Sequence, residues 1–324
     1  MLDPMSEGDR LDGRVAIVTG GARGVGEAIV RALVARGAKV VVADTGVTVD
    51  GSDPDPSLAQ EVAGRLGANA VAYTEDMGIP KAAAGAVALA IEKFGGLDIV
   101  VNDAAIQRDA FLFKGNTDHW DAVVRNNLSA AYYLLASAAP VLRENAVARR
   151  GAAEGEGGTY GWGRIVNIVS TAAFYGNYGQ APYAASKAGL VGLSRIAALD
   201  MARAGVTSNA VAPLARTRMI ERIKPTNEAQ AIYKERMLKV PASHVGNFIA
   251  YLCSPLAAKV TGQLFGVRGR EVILFTQPRP AKTIVAAGAE WDVDTLGRQV
   301  SAELAGSFTD LDTDVDAFAS EPIV

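Results

Sequence analysis

The sequence predicts an α/β protein: one doubly wound parallel sheet in a single domain, followed by a C-terminal extension. Three observations carry this prediction. Short β-branched runs alternate with longer helical patterns along the chain. The short runs are almost continuously apolar, as expected of strands covered by helices on both faces. A glycine-rich turn joins the first strand to the first helix, at the carboxyl edge where such sheets bind ligands.

Val15 to Thr19 reads as the first strand and Gly24 to Arg36 as the first helix. Lys39 to Ala43 is the next strand, then Leu58 to Leu66 is helical, Ala70 to Tyr73 a strand and Lys81 to Phe94 a helix. Asp98 to Val101 is a strand, followed after a loop by a helix over Asp118 to Leu142. Arg164 to Val169 is a strand, Tyr183 to Arg203 a helix and Thr207 to Val211 a strand. Right-handed crossovers leave few other topologies for this order.

Three segments break the rhythm. Thr45 to Ser57, rich in Gly, Asp and Pro, reads as a surface loop. Arg149 to Gly163, with five glycines between Gly151 and Gly161, reads as an excursion between a helix and a strand. The tail from Pro278 becomes acidic after Glu290, with one helix expected over Val293 to Leu304. The expected plan is an N-terminal arm (1–10), the doubly wound catalytic domain (11–277) and an acidic extension (278–324).

A chain of 324 residues suits one large domain with appendages. The net charge is -3 and no basic block stands out, which argues against nucleic acid or an anionic membrane as partner. No apolar stretch reaches the roughly 18 residues of a membrane helix. Met1 to Arg10 lacks the regions of a signal peptide, and the terminal Glu321-Pro-Ile-Val324 is not a peroxisomal address, so the expected location is the cytoplasm. The single cysteine, Cys253, forms no intramolecular disulfide and suits a reducing compartment; in its apolar run from Phe248 it reads as a small buried hydrophobe. With only two histidines, His119 and His244, beside it, no zinc site is expected.

The turn is Thr19-Gly-Gly-Ala-Arg-Gly-Val-Gly26. Gly20, Gly24 and Gly26 let the backbone approach a pyrophosphate, and the N–H groups and dipole of the following helix favour the anion. Arg23 and Val25, on the same turn, are counted with them as cofactor-binding. Asp44, 18 residues beyond Gly26 at the end of the second strand, can accept both adenosine-ribose hydroxyls and repel a 2′-phosphate, which favours NAD. Arg23 pulls the other way, since a guanidinium pairs with phosphate. The plainer role for Asp44 is to cap the Thr45-Gly46 turn.

The strand Arg164 to Val169 delivers Ser170 at its carboxyl end, and Tyr183 and Lys187 share one helix face. A tyrosine with its ordinary pKa of about 10 is a poor base at neutral pH, and a nearby ammonium is expected to lower it. Taken singly, the three have plainer roles as a strand-end cap, an aromatic packer and a solvated charge. Lys187, however, is embedded in Ala184-Ala-Ser-Lys-Ala-Gly-Leu-Val191, a small apolar helix that must pack closely, and a charge there needs a partner.

The glycine turn, the serine and the Tyr-x-x-x-Lys pair, in this order, resemble a Rossmann-type short-chain dehydrogenase/reductase over about Leu11 to Gly266. The resemblance implies that Tyr183 exchanges the proton with the substrate oxygen, Lys187 binds the nicotinamide ribose and tunes the tyrosine, and Ser170 orients the carbonyl or alcohol. It implies a fourth member, Asn127, seven residues after Trp120, holding a proton-relay water; neighbouring Asn126 can be confused with it, and a helix kink is the structural alternative. Asp76 and Met77 fall where the family contacts adenine. Asn102 and Ala104 belong to Asn102-Asp-Ala-Ala105, which departs from the usual Asn-Asn-Ala-Gly by a charge and a methyl. Leu214 replaces a usual glycine in the segment that clasps the nicotinamide, and Thr217 is the candidate for the carboxamide contact.

Tyr175-Gly-Asn-Tyr-Gly-Gln180, the long Asp44 to Ala59 loop and Arg216-Thr-Arg-Met219 resemble the (3R)-hydroxyacyl-CoA dehydrogenase portion of multifunctional β-oxidation enzymes. The family's substrate lid falls at Thr217 to Val240, where Met219, Ile220, Ile223, Ile232, Tyr233, Met237 and Leu238 mix with Arg218, Arg222, Lys224, Lys234, Arg236 and Lys239. An apolar face with a basic rim suits an acyl or steroid body with an anionic handle; an ordinary amphipathic surface helix has the same pattern. The expected reaction is hydride transfer between a secondary alcohol or ketone and NAD(H), with a 3-hydroxyacyl-CoA or hydroxysteroid-like substrate. A dehydrogenase of a small cyclic or aromatic alcohol, and a non-catalytic NAD(H)-sensing regulator, are the alternatives. The resemblance also implies a homodimer or homotetramer through the helices over Asp118 to Leu142 and Tyr183 to Arg203.

Overall fold

A computed structural model describes residues 10–152 and 163–324. The expected arm, apart from Arg10, and residues 153–162 of the glycine-rich excursion lie outside the described residues. The sheet comprises β1 (Val15–Thr19), β2 (Lys39–Ala43), β3 (Ala70–Tyr73), β4 (Ile99–Asn102), β5 (Arg164–Ile168), β6 (Thr207–Leu214), β7 (Leu264–Arg268) and β8 (Glu271–Phe275). Their order is β3-β2-β1-β4-β5-β6-β7-β8. Strands β1 to β7 pair in parallel and β8 closes the edge antiparallel to β7. The predicted doubly wound sheet is therefore present, extended by a hairpin.

The helices are α1 (Gly24–Ala35), α2 (Ser57–Leu66), α3 (Pro80–Phe94), α4 (Thr117–Val124), α5 (Ala130–Ala152), α6 (Ala181–Asp200), α7 (Arg218–Arg222), α8 (Glu228–Leu238), α9 (Ser243–Cys253), α10 (Val293–Gln299) and α11 (Asp314–Ala317). Successive strand residues point to opposite faces. Ala16, Val18, Val40, Val42 and Val166 meet Ile29, Leu33, Val62 and Ile249 on one face. Val15, Ile17, Val41, Val100 and Ile165 meet Ala86, Val87, Leu134 and Leu142 on the other. Cys253 is fully buried and burial pushes its thiol up to about 12, in keeping with a packing role.

Some elements differ from the sequence reading. The helix expected over Asp118 to Leu142 is interrupted by a π-helical turn at Arg125–Ser129 and runs on to Ala152. Strands β7 and β8 and helix α11 fall outside the elements read from the sequence. The Thr45 to Ser57 loop folds back onto the domain: Val49 is buried, Arg23 and Arg218 both donate to the Val47 carbonyl, and Arg108 donates to that of Asp50. The tail helix begins at Val293 as expected, but a π-helical turn replaces α-helix at Val300–Leu304. Beyond it the tail docks on its own chain. Val315 and Phe318 are buried, and the Arg268 guanidinium holds Glu271 in a fork at 2.6 and 2.9 Å while donating to the Ser320 carbonyl at 3.1 Å.

Candidate active site

The strand order reverses between β1 and β4, and there the carboxyl ends of the strands open into a cleft of about 240 Å³. At one end is the glycine turn. Gly20 has a φ of +67°, and a Cβ there would come within 2.9 Å of Ala104 Cα and N. Behind it a Cβ on Gly26 would reach 2.0 Å from the Gly20 carbonyl oxygen and 2.8 Å from Asp103 Oδ2. Both glycines are thus required by close backbone approach. Gly20, Arg23, Gly24 and Val25 line the cleft, whereas Gly26 supports the turn from behind.

Asp44 lines the same end and takes the plainer of its two expected roles, with a second bond that the sequence reading did not include. Its Oδ1 accepts from Gly46 N at 2.8 Å, capping the turn, and its Oδ2 accepts from Ala22 N in the glycine turn at 3.1 Å. A carboxylate offers about four lone-pair sites, so acceptor capacity remains. Arg23 Nε is buried and has no partner among the described residues. Asp76 accepts from Gly78 N at 2.8 Å and pairs with Arg125 at 2.9 Å, at the rim, with Met77 in the wall beside it.

At the other end β5 and α6 bring Ser170, Tyr183 and Lys187 together. Pro182 and Tyr183 lie in the first turn of α6, and Lys187 follows Tyr183 one turn later, both side chains buried. Ser170 and Tyr183 both line the cleft, and the Ser170 hydroxyl accepts from Ala172 N at 3.2 Å. Lys187 Nζ donates to the Ile168 carbonyl at 2.6 Å and lies 5.8 Å from the Tyr183 ring centre. The expected depression of Tyr183 is not seen. Burial raises its pKa above the ordinary value, the neighbouring Ser170 hydroxyl opposes this, and Asp314, Asp103 and Asp109 push it further up. Burial likewise lowers Lys187 and raises Asp103, each favouring the other's charged form. The charge that Asp103 introduces is therefore answered by Lys187.

Asn127 lies on the π-helical turn, so the kink is real, and its side chain clamps Ile106: Oδ1 accepts from Ile106 N at 2.8 Å and Nδ2 donates to Ile106 O at 2.9 Å. Asn102 ends β4 and donates to Asn167 Oδ1 at 2.7 Å. Neither lines the main cleft. Both border a void of about 10 Å³ behind it, about one water in size, and Asn102 Oδ1 is buried without a partner among the described residues. Asn126 lines the cleft and its amide donates to the Ala122 carbonyl at 2.9 Å. Leu214 continues β6, paired with Arg268, so the backbone passes the missing glycine as regular strand. Thr217 caps α7, accepting from Ile220 N at 3.3 Å, and faces the cleft.

The lid forms the remaining wall. Met219, Ile220, Ile223 and Tyr233 line it, as the apolar pattern suggested. The basic rim is partly engaged elsewhere: Lys234 donates to the carbonyls of Glu221 and Ile223 at 2.8 Å each, and Arg236 pairs with Glu321 at 2.7 Å. Arg222 and Lys224 make no ion pair among the described residues. One wall residue was missed altogether. Asp314, from α11, enters the cleft beside Thr171, and no motif in the tail signals it. Among the described residues no group of His, Cys, Asp and Glu could hold a metal, and no helix is long and apolar enough to cross a membrane.

The family pattern described as short chain dehydrogenase matches residues 14–228. The chain is 37% identical over 296 residues to the hydroxyacyl-CoA dehydrogenase ChsB1 of Mycobacterium tuberculosis, covering 91% of this chain and 90% of that one. It is 32% identical over 269 residues to the peroxisomal hydratase-dehydrogenase-epimerase of Saccharomyces cerevisiae, covering 82% of this chain but 28% of that longer protein. A crystal structure of a short chain dehydrogenase from Mycobacterium avium superposes with a TM-score of 0.75 at 32% identity, covering 93% of this chain and 98% of that one.

Proposed function

The chain belongs to the short-chain dehydrogenase family and is an oxidoreductase, and on that premise we propose that it interconverts a secondary alcohol and a ketone with NAD(H), the substrate being a 3-hydroxyacyl-CoA or hydroxysteroid-like alcohol. The observation that carries the reading is Tyr183 and Ser170 together in the cleft wall, with a buried ammonium one helical turn from the tyrosine. In alcohol oxidation Tyr183 as phenolate takes the hydroxyl proton while Ser170 holds the oxygen, and the carbon–oxygen double bond forms. Lys187 compensates the phenolate charge. We assign the relay water that the family resemblance implies to the water-sized void beside Asn127 and Asn102.

The cleft fits a dinucleotide. The turn of Gly20, Arg23, Gly24 and Val25 presents backbone to a pyrophosphate, the unpartnered Arg23 Nε is a free donor beside it, and Asp44 retains acceptor capacity for ribose hydroxyls. When bound, NAD supplies the acceptor for the hydride that leaves the carbinol carbon. Asp76, Met77 and Thr217 line its expected path. Asp44 supports NAD over NADP.

The substrate class rests on three supports: the acyl-CoA named for the mycobacterial relative, the apolar lid wall, and the unpaired Arg222 and Lys224 for an anionic handle. We also read the protein as a cytoplasmic homodimer or homotetramer. Exposed Tyr132, Ile196 and Leu199 on α5 and α6, and Val272 and Leu274 on the edge strand β8, are apolar surface that a second copy would cover. The test follows absorbance at 340 nm with NAD and NADP in parallel, over (3R)- and (3S)-hydroxyacyl-CoAs, hydroxysteroids and small cyclic alcohols. NAD reduction by the first two classes is expected. Reduction only with NADP would mean that Arg23 outweighs Asp44, and tight NADH binding without turnover would favour a sensor.

A further inference from the structure

The cleft contains a carboxylate that the hydride-transfer chemistry does not use. Asp314 comes from α11, near the chain terminus, and is 7% exposed. Its Oδ2 accepts from Thr171 Oγ1 at 3.1 Å, one residue from Ser170, and its backbone N donates to the Gly176 carbonyl at 3.2 Å. Its Oδ1 is buried and has no partner among the described residues, although the side chain forms part of the cleft wall with Tyr183 and Tyr233. A buried carboxylate oxygen without a partner is costly, and natural structures rarely keep one without a use.

The carboxylate is held by design of the strap around it. Thr313 and Asp316 close a capping box at the start of α11. Phe318 packs edge-on against Tyr175 at 5.6 Å between ring centres, tying the strap to the loop after β5. Arg268 and Arg236 anchor Ser320 and Glu321. The Tyr175 to Gln180 motif thus receives the chain's own tail, and the tail places one carboxylate residue in the cleft wall.

We propose that the Asp314 carboxylate is a substrate subsite that accepts a hydrogen bond from an N–H or O–H of the substrate other than the hydroxyl being oxidised. Resting on the acyl-thioester reading above, the donor is the first amide of the thioester arm or a second hydroxyl on the acyl body. The carboxylate lies beside the residues that hold the carbinol, so the donor fixes the substrate's orientation at the moment of hydride transfer. Raising of Asp314 by burial to about 6 still leaves it mainly ionised at neutral pH, as an acceptor must be.

The test compares three 3-hydroxybutyryl thioesters on wild type and Asp314→Ala. One carries an N-acetylcysteamine arm, one a 4-oxopentyl arm with CH2 in place of the N–H, and one the 4-oxopentyl arm with a second hydroxyl on the acyl chain. In wild type a donor-bearing thioester should have kcat/KM about tenfold or more above the donor-free one, the size of one charge-assisted hydrogen bond. In Asp314→Ala that ratio should collapse towards one, a readout that looser packing would not move. The member of the set that shows the preference identifies the donor. Wild-type turnover without preference, or a preference kept in Asp314→Ala, overturns the subsite while leaving the oxidoreductase reading standing. Wild-type silence on all three, with turnover of another alcohol class, overturns the thioester reading and the subsite with it.

Discussion

The Lys187 ammonium stands 5.8 Å from the centre of the Tyr183 ring and is fixed there by its 2.6 Å hydrogen bond to the Ile168 carbonyl. A buried positive charge is thereby held beside the ring that carries the reacting hydroxyl. Lys187→Met keeps the length and removes the charge. It should lower kcat by roughly 10²-fold or more, as loss of support for an acid–base group does. Steady-state kinetics with any active alcohol checks this; a change under threefold would mean that the ammonium serves packing alone.

Burial raises Tyr183 above its ordinary value, and this sets the sign of the pH dependence. Alcohol oxidation needs the phenolate, whose fraction grows as pH rises towards the raised pKa. For oxidation, log kcat/KM should therefore climb across the neutral range and into the alkaline, with no plateau near pH 7. Ketone reduction needs the protonated form and should be flat there. A plateau in the oxidation profile at neutral pH would show that bound substrate or cofactor brings the pKa down.

Asp314 makes a separate prediction about stability. Its ordinary value is 3.8 and burial raises it to about 6, so the folded chain holds this proton more tightly than the unfolded chain does. Stability should fall as pH rises from about 4 to about 6, by at most about 3 kcal/mol. Asp314→Asn does not titrate, so its Tm advantage over wild type should widen by several degrees between pH 4.5 and pH 7.5. A gap that stays constant with pH would contradict the burial argument.

Two glycines should respond in opposite directions. A Cβ on Gly26 meets the Gly20 carbonyl oxygen at 2.0 Å, so Gly26→Ala must displace the turn and should abolish NADH binding by fluorescence titration. Gly64, exposed within α2, has open space around its Cβ position. There Ala should stabilise by roughly 0.5–1 kcal/mol through helix propensity.

The parts of the site legible in the sequence are those set by local chemistry. Apolar runs marked β1 to β6, and the glycine turn and the Tyr183–Lys187 spacing mark backbone and side-chain positions within one turn or one helix. What was not legible depends on distant partners. The direction of the Tyr183 shift comes from burial and from carboxylates on other elements, which no spacing reveals. Asn127 is on a helix kink, the structural alternative weighed for it, but its amide is engaged by Ile106, a contact across a loop. Asp314 lies in an acidic stretch that reads as solvated, and only the anchoring of the tail by Arg268 and Phe318 turns it into the cleft.

The central claim is that Tyr183 is the acid–base group of an NAD(H)-dependent alcohol dehydrogenase. Tyr183→Phe tests it most directly, because it removes one oxygen and keeps the ring in its packing. The measurement is kcat with the best alcohol beside NADH affinity by fluorescence titration, wild type against variant. A fall in kcat on the order of 10³-fold with NADH affinity unchanged within about twofold is the predicted result. Activity within tenfold of wild type would contradict the assignment and leave the proton to another group.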